Sequence, residues 1–432
     1  VNNYLVSWKL PENDFTKKKN VTIAHLLSHT SGITIPGYRG YPAVGPVPTL
    51  LQVLEGKAPA NSSPVRVSQL PGNKMVYSGG GYAVVQQLLT DTQKKKFPAL
   101  MQETVFKPLG MKNSTYAQPL PENLHGSAAS GHRPTGLTLN GKWHVYPEMA
   151  PAGMWSTSAD FAAFVADIQL AHKKNKGKLL SQKSAKTFLT PYISDSMGLG
   201  FVIREKNGSV YFQHTGGNEG YRVFAVGHRD KGYGAVVLTN SDMGGPLFYE
   251  IIRGIAVVYN WENYLSKPYV PLTLKPELME PLAGKYAVDS DHLLEIIYST
   301  ETLYARKTFE RRVELVPIAD NKFVRSDEDV VYEFITDPKK KQITHVLEHK
   351  DGKTAKHEAK PAEYTVPGEL LEAGMMAEAF AAYRALKKEK PNDPAVNGYQ
   401  LIQVAYGMMQ RGRLRECMGM LDMIADLSPQ TL

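Results

Sequence analysis

His214-Thr215-Gly216-Gly217-Asn218-Glu219-Gly220-Tyr221 follows without a break on the apolar run Val210-Tyr211-Phe212-Gln213. Taken alone, the run reads as a β-strand and its glycine-rich continuation as a plain turn. Three other blocks precede it in order: His25-Leu26-Leu27-Ser28-His29-Thr30-Ser31-Gly32-Ile33, Tyr77-Ser78-Gly79-Gly80-Gly81-Tyr82, and Pro151-Ala152-Gly153-Met154-Trp155-Ser156-Thr157-Ser158-Ala159-Asp160. Leu26-Leu27, the run from Gly81 to Leu89, and Phe161 to Val165 behind the polar start Thr157-Ser158 have helical character. Ala235-Val236-Val237-Leu238-Thr239 predicts a second strand, and Phe248 to Asn260 a helix packed on the sheet. Residues 1–267 therefore read as an α/β (α+β) domain.

The whole chain of 432 residues suggests two or three domains. With 42% hydrophobic and 21% charged residues it is globular in composition, which excludes wholesale disorder. Cys417 is the single cysteine, so a disulfide within the chain, a CxxC redox pair and a cysteine-rich zinc site are all excluded. The sequence has no run approaching the roughly 18 apolar residues of a membrane span. The net charge of +8 is uneven: residues 1–267 hold 28 Lys and Arg against 16 Asp and Glu, which leaves the remainder net acidic. A basic front module could favour an anionic surface, but no nucleic-acid-binding motif accompanies it, and no nucleic-acid partner is expected.

Most common catalytic signatures are missing: there is no GxSxG elbow, no HExxH helix and no Walker loop. His25 and His29 have the spacing that would put two imidazoles on one helical face, yet Ser28 and Thr30 bring no acid, so no metal is expected there. No cofactor is expected either. What remains is the constellation of four blocks, and their order resembles the penicillin-recognising serine hydrolases: class C β-lactamases, D,D-peptidases and related esterases. The resemblance covers about residues 1–265.

It implies acyl transfer through a covalent acyl-enzyme. A serine hydroxyl is a poor nucleophile at neutral pH, so a neighbouring base must take its proton. Tyr77 stands at the family's Tyr-x-Asn tyrosine and is the implied general base and later acid, its phenol made more acidic by a nearby cation. Gly217 is implied as a backbone donor to the oxyanion. His214, Thr215 and Gly216 stand at the Lys-Thr-Gly position, on an edge strand that anchors substrate, and Gly79 stands where the family carries an asparagine amide. His214 for lysine exchanges a permanent cation for a group near pKa 6.5, which shifts the expectation from penicillins toward esters, amides or small peptides. Arg39 or Arg222 could restore a cation.

The largest departure is the nucleophile: no serine in the sequence is followed three residues later by lysine. Val1-Asn2-Asn3-Tyr4-Leu5 matches the stretch that follows the family's nucleophile helix, so the expectation is a hydrolase domain lacking its N-terminal part. Its partners would be a small-molecule or peptide substrate and an N-terminal fragment carrying Ser-x-x-Lys. The resemblance implies a periplasmic or secreted setting.

Lys267-Pro268-Tyr269-Val270-Pro271 reads as a linker. Residues 268–361 contain short alternating runs such as Leu293-Leu294-Glu295-Ile296-Ile297-Tyr298, the pattern of a small antiparallel β-barrel. Its opening Leu282-Ala283-Gly284-Lys285-Tyr286 resembles lipocalin-like domains appended to some serine hydrolases. His345 and His349 fall in this strand-patterned region and read as surface residues. Residues 362–432 are rich in Ala, Met and Leu with helical spacing. Gly374, Ala379, Ala381 and Pro391, then Gly407, Gly412 and Pro429, resemble tetratricopeptide repeats, a possible face for a protein partner.

Overall fold

Four antiparallel strands in sequence order build the larger sheet of the first unit: β1 (Val202–Lys206), β2 (Ser209–Asn218), β3 (Tyr221–His228) and β4 (Gly234–Thr239). The computed structural model describes residues 1–265, 268–339, 342–350, 352–410 and 413–428, and the chain divides into two units, Val1–Leu265 and Ser266–Leu432. In the first unit the helices that matter to the site are α1 (Ile23–Leu27), α2 (Gly79–Gln93), α3 (Ser158–Lys174) and α4 (Gly244–Val258). Side chains alternate across a strand, so β2 sends Val210 and Phe212 to Val165 and Ile168 of α3, and Tyr211 to Phe248 and Ile252 of α4. A separate apolar core joins Leu26 to Ala83, Val84 and Leu88 of α2, with Leu5, Trp8 and Ile33. This core lies beside the two loops, 28–38 and 76–78, that flank α1 and α2.

The edge-strand expectation for His214-Thr215-Gly216 needs correction. β2 is an inner strand over its first half, where Ser209 to Gln213 pair with Lys206 to Val202 of β1. β1 begins only at Val202, because Gly200 at φ +121° turns the chain just before it. His214 to Asn218 therefore run past the end of β1 and are paired on the β3 side alone.

The second unit contains the expected barrel. Eight antiparallel strands close on themselves: β5 (Gly284–Ala287), β6 (Leu293–Ser299), β7 (Thr302–Lys307), β8 (Val313–Ala319), β9 (Lys322–Arg325), β10 (Val330–Thr336), β11 (Ile343–Lys350) and β12 (Lys353–Lys360). Its inside is filled by Leu294, Phe323, Tyr332, Phe334 and Val346, all buried. His345 and His349 alternate with the buried Val346 and Glu348 and so lie on the outer face of the barrel, as expected, where His349 Nε2 is 3.1 Å from a Glu333 oxygen on the neighbouring strand.

Four helices follow, α5 (Pro367–Glu372), α6 (Met376–Glu389), α7 (Gly398–Gln410) and α8 (Leu414–Leu427). They are tied to the barrel by Arg306, which bonds Glu295, Glu369 and Glu372, and by the Tyr383 hydroxyl, which donates to Asp291 at 3.0 Å. Lys267 of the expected linker, and Gly412 and Pro429 of the expected repeat, lie outside the described residues. No helix of the described residues is long and apolar enough to cross a membrane.

Candidate active site

α1 stops at Leu27, and His29 leaves the helix with φ +55°. The spacing that would align His25 with His29 therefore has no helix to act on. The His25 ring closes the capping box of α1, its Nδ1 accepting from the Thr22 backbone N–H at 3.2 Å. His29 turns the other way, and its Nδ1 accepts from the Ser78 N–H at 3.0 Å. Nδ1 is thus unprotonated and Nε2 carries the hydrogen; Nε2 is buried with no partner among the described residues. Burial, with His214 nearby, pushes the His29 pKa down to about 4. No cluster of metal-ligating side chains occurs among the described residues.

Ser78 is the N-cap of α2: its hydroxyl accepts from the Gly81 N–H at 3.1 Å and donates to the Thr34 carbonyl at 2.9 Å. A Cβ on Gly80 would come within 2.5 Å of that same carbonyl, so glycine is required there. At Gly79 a Cβ would be 3.3 Å from the Pro36 carbonyl, so the segment around Pro36 crowds the place of the family's asparagine side chain. Tyr77 stacks on His29 with ring centroids 4.0 Å apart, and its other side is tilted toward His214 at 6.3 Å. The three rings form a row across the cleft. Among the residues of this chain, burial raises the Tyr77 pKa above its ordinary value.

The other wall is the free half of β2. Asn218 and Tyr221 close a two-residue hairpin over Glu219 and Gly220, so they form its hydrogen-bonded pair. Alternation along the ladder then turns the N–H and C=O of Gly217 and Thr215 away from β3, toward the side that β1 does not cover. Gly216 faces Val223 in the register, and a Cβ there would come within 2.5 Å of the valine methyl. His214 Nδ1 lies 2.5 Å from the Thr215 carbonyl, which only accepts; the ring must donate, and the neutral form keeps Nε2 as an acceptor. Burial lowers the His214 pKa further below 6.5, so it is no cation at neutral pH.

Tyr77, Gly79, His214, Thr215, Gly216 and Gly217 all line one cavity of about 1050 Å³, together with His29. The chain therefore brings together residues separated by more than a hundred positions. Arg222 does not supply the replacement cation: it bonds the Asn218 and Tyr221 carbonyls and pairs with Asp242 at 2.9 Å. The Arg39 carbonyl accepts from His144 Nδ1 at 2.8 Å and from the Tyr146 hydroxyl at 3.3 Å. The sequence reading missed His29 as the partner of Tyr77. The available signal was its position just past the end of a short helix, where a histidine is freed from the helical face.

A family model described as Beta-lactamase matches residues 4–259. The chain belongs to the beta-lactamase family. Within that family it is similar to the "D-alanyl-D-alanine-carboxypeptidase/endopeptidase AmpH" of Escherichia coli (strain K12), 26% identical over 241 residues, 52% of this chain and 59% of that protein. The chain thus spans less than two thirds of that relative's length. Among solved structures it is similar to the octameric penicillin-binding protein homologue from Pyrococcus abyssi, with 17% identity, coverage of 81% and 83%, and a TM-score of 0.45. It is also similar to the D-amino acid amidase from Ochrobactrum anthropi SV3 complexed with D-phenylalanine, with 20% identity, coverage of 57% and 80%, and a TM-score of 0.44. The beta-lactamase-family match includes all four blocks quoted from the sequence.

Proposed function

We propose that the chain is the body of a serine hydrolase that passes through an acyl-enzyme on an ester, amide or small peptide, its nucleophile carried by a Ser-x-x-Lys segment outside these 432 residues. The observation that carries this reading is the meeting of Tyr77, His214 and the uncovered N–H groups of β2 on one cavity. The serine Oγ attacks the acyl carbon while its proton passes to the Tyr77 oxygen. That proton then goes to the leaving nitrogen or oxygen as the old acyl bond breaks, and water repeats the sequence to free the enzyme. Tyr77 accepts a proton only as phenolate, so the lysine cation of the incoming segment must offset the burial that raises its pKa. The Gly217 N–H donates to the oxyanion, and His214, Thr215 and Gly216 hold the substrate backbone against the strand.

A neutral His214 cannot hold a carboxylate as a lysine would, which favours neutral esters and amides over penicillins. The name of the carboxypeptidase/endopeptidase relative supports a peptide or amide. The setting would be periplasmic or secreted. The helical segment, with Leu414 and Met418 exposed, would offer a face to a protein partner.

The test is to isolate the intact protein from its source, read its N-terminus by mass spectrometry, and label it with a fluorophosphonate. Labelling is expected on the serine of an upstream Ser-x-x-Lys and on none of residues 1–432. A labelled serine inside these residues, or ester turnover by the 432-residue chain alone, would overturn the placement of the nucleophile. An intact protein with neither motif nor turnover would make the fold a binding protein.

A further inference from the structure

Two charged residues without a role in the chemistry above, Arg222 and Asp242, stand directly behind Gly217. Gly217 and Arg222 are opposite each other in the register of β2 and β3, so both project to the face of the sheet that carries α4. Gly217 has no side chain to fill its place on that face, and the arginine lies across it: a Cβ on Gly217 would be 3.6 Å from both Cδ and Nη1 of Arg222. The same Nη1 donates to the Asn218 and Tyr221 carbonyls, each at 2.7 Å, and lies 2.9 Å from Asp242 Oδ1. The Arg222 carbonyl is held as well, by the Thr239 hydroxyl at 2.7 Å.

Asp242 joins this arginine to the tip of the hairpin. Its side chain is only 10% exposed, and Oδ1 also accepts from the Gly220 backbone N–H at 3.0 Å. Arg133, which pairs with Glu219 at the tip, approaches the other Asp242 oxygen at 3.8 Å. Gly220, at φ +79°, allows the tip to seat closely, since a Cβ there would come within 2.7 Å of Gly131 Cα. Backbone freedom is the reason such support matters. Gly216 and Gly217 are adjacent, glycine restrains its own backbone least of all residues, and β1 does not reach their outer side. A donor to an oxyanion works only if it is already in place when the charge develops.

We propose that Asp242 and Arg222 are positioning residues: Asp242 holds the guanidinium across Gly217, and the guanidinium holds the Asn218 carbonyl, so that the Gly217 N–H keeps one direction along the cavity. The link to turnover rests on the reading of Gly217 as oxyanion donor, whereas the brace itself belongs to the hairpin and needs no nucleophile. A lysine at position 222 keeps the charge on a side chain one atom shorter and lacks the planar group that meets two carbonyls and a carboxylate together.

The test places two readouts on Arg222→Lys and Asp242→Asn. In the 432-residue chain, with its glycines labelled for nitrogen relaxation and the Gly217 signal identified through Gly217→Ala, the order parameter of the Gly217 amide is measured. It should be near about 0.85 in the wild type, below about 0.6 in Arg222→Lys, and between the two in Asp242→Asn. In the intact protein, kcat on a neutral ester should fall by about ten- to a hundredfold in Arg222→Lys with KM within about twofold, less than outright removal of the donor would cost. Asp242→Asn is isosteric and still accepts from Gly220, so it covers the case in which the arginine variant does not fold. An order parameter already low in the wild type, or high in both variants, overturns the brace whatever turnover does. A mobile Gly217 with unchanged kcat overturns the link to the oxyanion. An intact wild type that hydrolyses nothing removes the hydrolase, and the order parameter then decides the brace alone.

Discussion

β2 and β11 are both long antiparallel strands, and they end in opposite situations. β11 is paired with Val330–Thr336 of β10 from Ile343 to Lys350 and with Lys353–Glu358 of β12 from His345 to Lys350. β2 has β3 along its whole upper half but β1 only as far as Gln213. A closed barrel has no edge and uses its backbone donors up in holding itself together. An open sheet that outruns its neighbour keeps N–H and C=O groups free for a ligand. The part of the protein suited to chemistry is the part in which the ladder was left incomplete.

The buried carboxyls divide the same way. Glu148, fully buried in the first unit, has one hydrogen bond, from the Tyr41 hydroxyl at 3.3 Å, and its second oxygen has no partner among the described residues. Burial pushes its pKa up to about 7. Glu348, buried inside the barrel, also suffers burial, but the His357 ring and the Lys307 ammonium, each at 2.8 Å, outweigh it and hold the pKa at about 2. One carboxyl is moved into the neutral range, the other is held as an anion.

The contrast predicts a series of effects. The largest comes from proline. Leu347→Pro, in the doubly paired part of β11, should abolish the cooperative unfolding of the second unit, because a ladder donor is lost and the ring has no room. Gly217→Pro should leave the circular dichroism melt nearly in place, since its N–H meets no strand. In the intact protein it should cut turnover by about two to three orders of magnitude by removing an oxyanion donor. A collapse of the fold in the second variant would show that the free half of β2 is not free. Tyr77→Phe should follow, with turnover lower by at least about a hundredfold and the melt unchanged.

Next come the two glutamates, read by urea denaturation against pH. A pKa raised on folding contributes stability below the unfolded value near 4.5 that is lost as pH rises through about 7, so Glu148→Gln should stabilise at pH 8 and gain nothing at pH 4. A depressed pKa contributes stability above 4.5 that is lost as pH falls through about 2, so Glu348→Gln should destabilise at pH 7 and be neutral near pH 2. Each effect is on the order of 3 kcal/mol at most. Equal slopes in the two variants would remove the distinction. His29 works in the same sense as Glu348. Its pKa near 4 lies below the ordinary 6.5, so its contribution falls as the pH drops across that interval.

The smallest effect is on substrate choice. In the intact enzyme His214→Lys should improve catalytic efficiency on a penicillin by roughly one order of magnitude and leave a neutral ester unchanged, since one charge-assisted hydrogen bond is restored. No gain on the penicillin would place substrate choice elsewhere in the cleft.

Much of this was legible in the chain itself. Alternating runs predicted the barrel, helical spacing predicted the terminal helices, and four short blocks in order predicted the family, because each rests on local pattern. The order of the blocks also named Tyr77, Gly79, His214, Thr215, Gly216 and Gly217, which the structure gathers on one cavity. What failed was whatever depends on where an element stops. The pairing of His25 with His29 assumed a helix that ends at Leu27. The edge character of β2 depends on β1 starting no earlier than Val202, a length that β2's own residues do not encode. The pKa of Tyr77 and of His214 depends on burial by residues far away in sequence, and Arg222, one of two arginines that could have restored a cation, is engaged by Asp242. By itself the sequence determined which residue types lie in which element and which family they belong to, since side-chain periodicity and motif order act at short range. Only the tertiary structure decided which backbone donors are left uncovered and which ionisable groups stay neutral, because both follow from how distant segments exclude water and from where a neighbouring strand ends.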